Sequence, residues 1–395
     1  MANIIDYIDW RGDLSFEASP FNELDGLIFS EFCFLDLSNI VPREYSSEGV
    51  SVAWAVRRFF ELHPESERLG YIIPEDIKKM AQRMATSKRF SALSLSGFVD
   101  RTSSEGQHQF CALSITLPNG AVMIAFRGTD DSLVGWHEDF NMMFTFPIPS
   151  QSMALEYTAS IALQCQHGIM LGGHSKGGNL ALYAGACLEP CLQERIVKIY
   201  NYDGPGFGNE MVTSKGYAAI RDKVIGIIPQ ASIIGMLFEH DGHYRIVKSR
   251  ASGILQHNGF FWEVMGGSFV MLEELSRDSI IVNKAVRGLI SQMDDDEKRR
   301  LVDTTFGIFA NTNTQTLTEL SRNKSALIKT VLKMPAESRD LFLKTIWKIV
   351  TESTHAWKST PRKTIKTKGS SIADEKPTDT SIRKKSAGGQ KLQKK

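Results

Sequence analysis

The sequence of 395 residues has no run approaching the roughly 20 uncharged residues that an apolar helix needs to cross a bilayer. Its most apolar stretch, Ile225 to Phe238, is too short and is expected to form core or pocket lining. The N-terminus has no basic start leading into an apolar run; Asp6, Asp9 and Asp13 stand there instead, which argues against secretion by a signal peptide. Cysteine is scarce. The five residues Cys33, Cys111, Cys165, Cys187 and Cys191 are odd in number, scattered and mostly set among apolar neighbours, so no disulfide framework is expected and a reducing cytoplasm fits best. Cys187 and Cys191 flank Pro190 with no second pair and no nearby histidine, the wrong surroundings for a zinc site. There is no internal repeat, and no G-x-x-x-x-G-K-[ST] loop that would cradle a phosphate.

What is present is a globular composition, 42% hydrophobic and 23% charged, with a formal net charge of +1. That balance hides an asymmetry. From Lys358 onward there are 12 basic and 3 acidic residues, and almost no large apolar side chains, so residues 358–395 are expected to form a disordered basic tail. Such a tail suits contact with an anionic membrane surface or a purely solvated role; no specific nucleic acid binding is expected.

Along the chain, an apolar run at Leu24 to Leu37 with Asn22 and Asp25 at its start reads as a capped structural helix, and Pro74 opens a helix to about Ser87. From Ala92 the period changes to that of strands, at Ala92 to Val99, Gln109 to Leu117 and Ala121 to Phe126, the last two joined by a Pro118-Asn119-Gly120 turn. Strand and helix then alternate: a helix over Ser152 to Gln166, a strand at Ile169 to Leu171, a helix from Lys176 to Leu188 and a strand at Ile196 to Tyr202. Further strands are expected at Val224 to Ile228 and Tyr244 to Lys248. This alternation specifies an α/β fold with a mostly parallel sheet covered by helices on both faces. Helical patterns return at 278–292, 295–310, 316–333 and 336–353. The expected division is a sheet domain over 1–277 with a helical lead-in to about 90, a helical region over 278–357 that is either a lid or a separate module, and the tail.

Gly173-His174-Ser175-Lys176-Gly177 is a G-x-S-x-G pattern between a short apolar strand and a good helix. By itself such a pattern arises on the order of 0.2 times by chance in a chain of this composition. Its setting raises its weight: a nucleophilic serine on a strained strand-to-helix turn needs glycines two residues to either side, and the helix start aims the Lys176 amide at a developing oxyanion. The plain alternative is a glycine-rich turn that binds phosphate. A second signal is the strand Val122 to Phe126, which stops at Arg127-Gly128-Thr129; there the Thr129 amide and hydroxyl could supply the second oxyanion donor, or the segment could be an ordinary strand end.

Phe126-Arg127-Gly128-Thr129, Gly173-His174-Ser175-Lys176-Gly177-Gly178 and Tyr202-Asp203-Gly204-Pro205-Gly206-Phe207 together resemble the class 3 lipases, and more closely a bacterial family of lipase-like α/β-hydrolases, over roughly Asn22 to Trp262. The resemblance implies an α/β-hydrolase fold, Ser175 as nucleophile, and Thr129 with Lys176 at the oxyanion hole. Lys176 departs from the apolar residue usual there; its cation would suit an anionic substrate or extend into solvent.

In this fold the histidine follows the serine in sequence. His257 comes after the last expected strand and is the preferred base, a choice the resemblance supports; His240 and His243 read as an exposed turn, and His355 lies near the tail. The acid usually stands after the strand ending near Pro229, where this chain has Gln230, Ala231 and Ser232 and no carboxylate. Asp203 is the best replacement, although an aspartate before Gly204 also makes a good turn residue. Glu239, Asp241 and an orienting Ser232 stay open. Trp136-His137-Glu138-Asp139 would hold a metal only if adjacent side chains converged, which a helix prevents, and Met142, Met143, Phe144 and Phe146 could flank an acyl pocket or be core. The expected function is a serine hydrolase acting on an ester, thioester or lipid acyl bond without metal or organic cofactor, in the cytoplasm or peripherally at a membrane. The rival is an inactive hydrolase-fold scaffold, for which the missing acid is the best support.

Overall fold

The computed structural model describes residues 1–64, 67–239, 242–310 and 314–322. The chain begins with helices α1 (Ile4–Arg11) and α2 (Glu23–Phe32), an edge strand β1 (Val50–Ser51), and helices α3 (Val52–Leu62) and α4 (Asp76–Thr86). Asn22 caps α2 as its sequence suggests: its Oδ1 accepts from Leu24 N at 2.8 Å while Asp25 Oδ2 accepts from Asn22 N at 2.9 Å.

The strands β2 (Ser94–Ser103), β3 (His108–Thr116) and β4 (Val122–Phe126) form an antiparallel meander. Gly120, with φ +80°, closes the turn into β4. After α5 (Leu133–Asn141) and α6 (Pro149–Gln164), the chain alternates β5 (Ile169–His174), α7 (Lys176–Cys187), α8 (Pro190–Gln193), β6 (Ile196–Tyr202), α9 (Asn209–Val212), α10 (Lys215–Ile220), β7 (Val224–Pro229) and β8 (Tyr244–Val247). Strands β4 to β8 pair in parallel in sequence order. A short β9 (Val264–Met265) pairs with β10 (Ser268–Phe269), and β11 (Met271–Leu272) returns antiparallel to β8, closing the nine-stranded sheet opposite β1. This is an α/β-hydrolase fold with a mostly parallel sheet.

The strand order dictates how the faces are covered. Right-handed crossovers that always step in the same direction lay their helices on one face, and one core forms there: Val122, Ile124 and Phe126 of β4 and Leu171 of β5 pack with residues of α6, α7 and α10. Alternate residues point the other way. Met123, Ala125, Met170, Tyr200 and Tyr202 meet α1, α2, α3 and α4 in a second core. The N-terminal lead-in therefore supplies the second layer that the crossovers cannot. Strand β5 runs three residues beyond the expected Leu171, because Gly172, Gly173 and His174 are held in register by neighbours: β6 pairs with all three, and β4 with both glycines.

Two helices from the C-terminal part, α11 (Arg277–Ser291) and α12 (Asp295–Ala310), match the expected boundaries, followed by α13 (Leu317–Arg322). Phe306 of α12 stacks on His137 of α5 with ring centroids 4.6 Å apart, and Asn283 Nδ2 of α11 donates to Ser232 O at 2.9 Å. The expected helix at 336–353, the rest of the one at 316–333 and the basic tail lie outside the described residues. No described helix is long and apolar enough to cross a membrane.

Candidate active site

Ser175 stands alone between β5 and α7 with φ 59° and ψ −131°, a conformation that costs a non-glycine residue about 1–3 kcal/mol. Its neighbours leave no room for alternatives. A Cβ on Gly173 would fall 2.2 Å from the Gly177 carbonyl carbon, and one on Gly177 2.1 Å from Phe126 O. The turn is pinned by Ser175 N donating to Tyr202 O and Gly178 N donating to Ser175 O, both at 2.9 Å.

Asp203 follows directly on β6, also with positive φ (51°), a conformation aspartate tolerates better than most residues. It is fully buried. Its Oδ1 accepts from Ser232 Oγ at 2.5 Å and Gly235 N at 3.1 Å, and its Oδ2 lies 2.6 Å from His257 Nδ1. A carboxylate there fixes the proton of the neutral imidazole on Nδ1 and leaves Nε2 as the basic nitrogen. The His257 ring is also 4.5 Å, centroid to centroid, from that of His174, the residue before Ser175. Of the other candidates for the acid, Ser232 contacts Asp203, Glu239 pairs with Arg287, and Asp241 lies outside the described residues together with His240.

The Arg127-Gly128-Thr129 turn abuts the serine: a Cβ on Gly128 would sit 3.2 Å from Ser175 Cβ and 2.6 Å from His174 O. Arg127 anchors the turn through Asp100 (2.7 and 2.9 Å) and Asp130 (3.0 Å). Thr129 Oγ1 donates to Asp139 Oδ2. The amide of Lys176 occupies the first helical position, where an N–H has no acceptor within its own helix.

The Lys176 side chain corrects both expectations for it. Neither a substrate anion nor solvent meets its ammonium, which is 1% exposed and donates to Gln109 O and Glu138 Oε2, each at 3.0 Å, with Asp139 Oδ1 at 3.6 Å. Glu138 in turn accepts from Gln109 N (3.1 Å) and Ser150 N (2.9 Å). Burial, with Glu138 adding to it, pushes the Asp139 carboxyl up to about 6 against the opposing pull of Lys176. So the acidic residues of the Trp136 to Asp139 segment do converge, on a lysine, and no metal-binding cluster occurs among the described residues.

The Mbeg1-like family profile matches residues 84–307, a span that includes Thr129, Ser175, Asp203 and His257. The chain belongs to this lipase-like family. Among solved structures, this Mbeg1-like chain is similar to M37 lipase, at 17% identity and TM-score 0.36 over 55% of this chain and 70% of that one. It is also similar to the lipase of Rhizomucor miehei in its propeptide complex, at 16% identity and TM-score 0.30 over 40% and 57% respectively. No curated protein matches the chain.

A cavity of about 410 Å³ has Met142, Met143, Phe144, Phe146, Phe207 and Phe238 on its wall together with the acidic Glu210 and Asp295, and it reaches Asn179 one turn into the helix that Ser175 opens. Sequence reasoning missed Glu31, on α2. Its Oε1 lies 3.1 Å from His174 Nδ1. The available signal was weak: a glutamate midway along the apolar run from Leu24 to Leu37, which also holds Asp25 and Asp36 near its ends.

Proposed function

We propose that this chain is a serine hydrolase that cleaves an ester, thioester or lipid acyl bond through an acyl-enzyme on Ser175. The observation that carries the reading is the 2.6 Å contact between His257 Nδ1 and a fully buried Asp203, formed next to the strained turn that bears Ser175. Ser175 Oγ attacks the carbonyl carbon as its proton passes to His257 Nε2, and Asp203 stabilises the imidazolium that forms. The amides of Thr129 and Lys176 donate to the carbonyl oxygen as it gains charge. Collapse of that intermediate expels the alcohol or thiol, which takes the proton from Nε2; water then repeats the sequence and releases the acid. The scheme uses no metal or organic cofactor. The Met and Phe side chains of the cavity would suit an acyl chain, although Ser175, His257 and Thr129 are not among its lining residues and Glu210 and Asp295 are. With it we propose a hydrolase domain ending near residue 277 and a basic tail that brings a cytoplasmic enzyme to anionic membranes. The scaffold alternative drew on the missing carboxylate after β7, and Asp203 offers His257 one from β6.

A fluorophosphonate probe tests the reading. Wild type is expected to label, Ser175→Ala not at all, and His257→Ala more slowly by about 10² to 10⁴-fold. Asp203→Asn, which keeps an oxygen for Ser232 and Gly235, is expected to lower turnover of a p-nitrophenyl ester over the same range, about 10² to 10⁴-fold, with little change in melting temperature. Equal labelling of Ser175→Ala ends the proposal, and full activity of Asp203→Asn moves the acid elsewhere.

A further inference from the structure

Residues 254 and 255 of the segment that carries His257 are exposed apolar side chains, so the placement of its imidazole depends on what holds the backbone beneath. Two ties are plain: Gln256 Oε1 accepts from Ala231 N at 3.0 Å, and Trp262 Nε1 donates to Gln256 O at 2.8 Å. A third runs through the other face of the sheet. His174 Nε2 is hydrogen-bonded to His257 O at 2.7 Å, and His174 Nδ1 is 3.1 Å from Glu31 Oε1, a buried oxygen that accepts no hydrogen bond among the described residues. A carbonyl only accepts, so Nε2 carries a proton. Burial, with His257 close by, holds the His174 ring well below the ordinary histidine range, which keeps it neutral and leaves Nδ1 an acceptor. Only the Glu31 carboxyl then has a proton to give. Burial pushes that carboxyl up to about 8, in keeping with such a donor.

We propose that Glu31 and His174 are positioning residues for His257: the Glu31 carboxyl donates to His174 Nδ1, and His174 Nε2 donates to the His257 carbonyl, so that the N-terminal helix α2 fixes the backbone of the base. Asp203 holds the same residue by its ring. Held at both ends, the imidazole has one placement beside Ser175, and the positioning of a reacting group by even an ångström is worth up to about 10²-fold in rate. This inference rests on the serine-hydrolase reading.

The test pairs a rate with ring-nitrogen NMR of the ¹⁵N-histidine-labelled full chain. In wild type near neutral pH, His174 is expected to be neutral with its proton on Nε2. Glu31→Gln, whose amide also donates, is expected to keep that signature and label with the fluorophosphonate within about threefold of wild type, while the near-isosteric Glu31→Leu loses the Nδ1 hydrogen bond and labels about 10- to 100-fold more slowly. A merely structural Glu31 would not be rescued by glutamine in rate and tautomer together. A wild-type His174 protonated on Nδ1, or on both nitrogens, overturns the proposal, as does Glu31→Leu labelling at the wild-type rate. If Glu31→Leu fails to fold, the wild-type tautomer and the Glu31→Gln rate still decide. Absence of labelling in wild type would sink the hydrolase reading, while the tautomer would separately decide the hydrogen-bond relay.

Discussion

Ser175 stands between two buried ionisable residues that meet the same difficulty in opposite ways. His174 ends β5 and turns toward the N-terminal layer; Lys176 opens α7 and turns toward α5. Each is buried and each faces carboxyl groups. The Lys176 ammonium donates to two acceptors, Gln109 O and Glu138 Oε2, with Asp139 Oδ1 farther off at 3.6 Å, and Glu138 is itself held by two backbone amides. His174 has only one carboxyl partner, and a lone buried ion pair does not recover its desolvation cost. Both members are driven toward their neutral forms instead. The difference teaches that an ammonium is buried beside this nucleophile where two close acceptors and a nearby carboxyl receive it, and that a lone buried carboxyl–imidazole pair is driven toward its neutral forms.

The sharpest way to break the comparison is Lys176→Met, which leaves Glu138 and Asp139 facing each other in the interior. Removing one partner of a buried pair typically costs about 3–5 kcal/mol, so urea unfolding should show a loss of that size, partly recovered when Glu138→Gln is added. A loss below about 1 kcal/mol would mean the cluster is already close to neutral, like the histidine side. The next effect belongs to Glu31. Unfolded, it ionises near its ordinary value of 4.5; folded, it holds its proton up to about 8. Folding thus takes up a proton in that window, and wild-type stability should fall as pH rises from about 4.5 to about 8, by up to ~1.4 kcal/mol per unit, then level off. Glu31→Gln has no proton to exchange and should lack this contribution, most plainly between pH 6 and 8. A wild-type curve parallel to the variant's from pH 5 to 8 would make Glu31 an ordinary ionised carboxylate and remove the contrast with Lys176.

How much of this was legible in the sequence follows the reach of each interaction. Ser175 and its glycines form one contiguous motif, and the local alternation of strand and helix gave the sheet and the helices of one face. Asp203 was harder, because an aspartate before glycine serves equally well as a turn former. Here it is both, with positive φ in its backbone and its side chain on His257. The partners of Lys176 and His174 were not legible. Glu138 and Asp139 appeared as a helical acidic pair, and no periodicity marks a lysine whose stem crosses to them. Glu31 belongs to a segment dominated by apolar residues, where it is one of three acidic residues and nothing local sets it apart, and its partner arrives through packing of α2 on β5, a contact between regions far apart in sequence.

The smallest effect expected is at Asp139, and it separates support of the site from participation in it. Burial pushes this carboxyl up to about 6, so it too loses a proton on the way to neutral pH in the folded state, but over the narrower window from about 3.8 to 6, with Lys176 opposing the shift. Asp139 should therefore contribute a decline of wild-type stability with rising pH between roughly 4 and 6 of no more than ~3 kcal/mol, and Asp139→Asn should remove that part and leave the Glu31 decline. The asparagine oxygen can still accept from Thr129 Oγ1, which keeps the Arg127-Gly128-Thr129 turn in place. Fluorophosphonate labelling at pH 7.5 should then change by less than about tenfold, since only a hydrogen bond to a charged acceptor is exchanged for one to a neutral acceptor. If labelling collapses while the variant remains folded, the charge of Asp139 acts on the reacting centre through Thr129. The lysine side of Ser175 would then be part of the chemistry and no longer only its support.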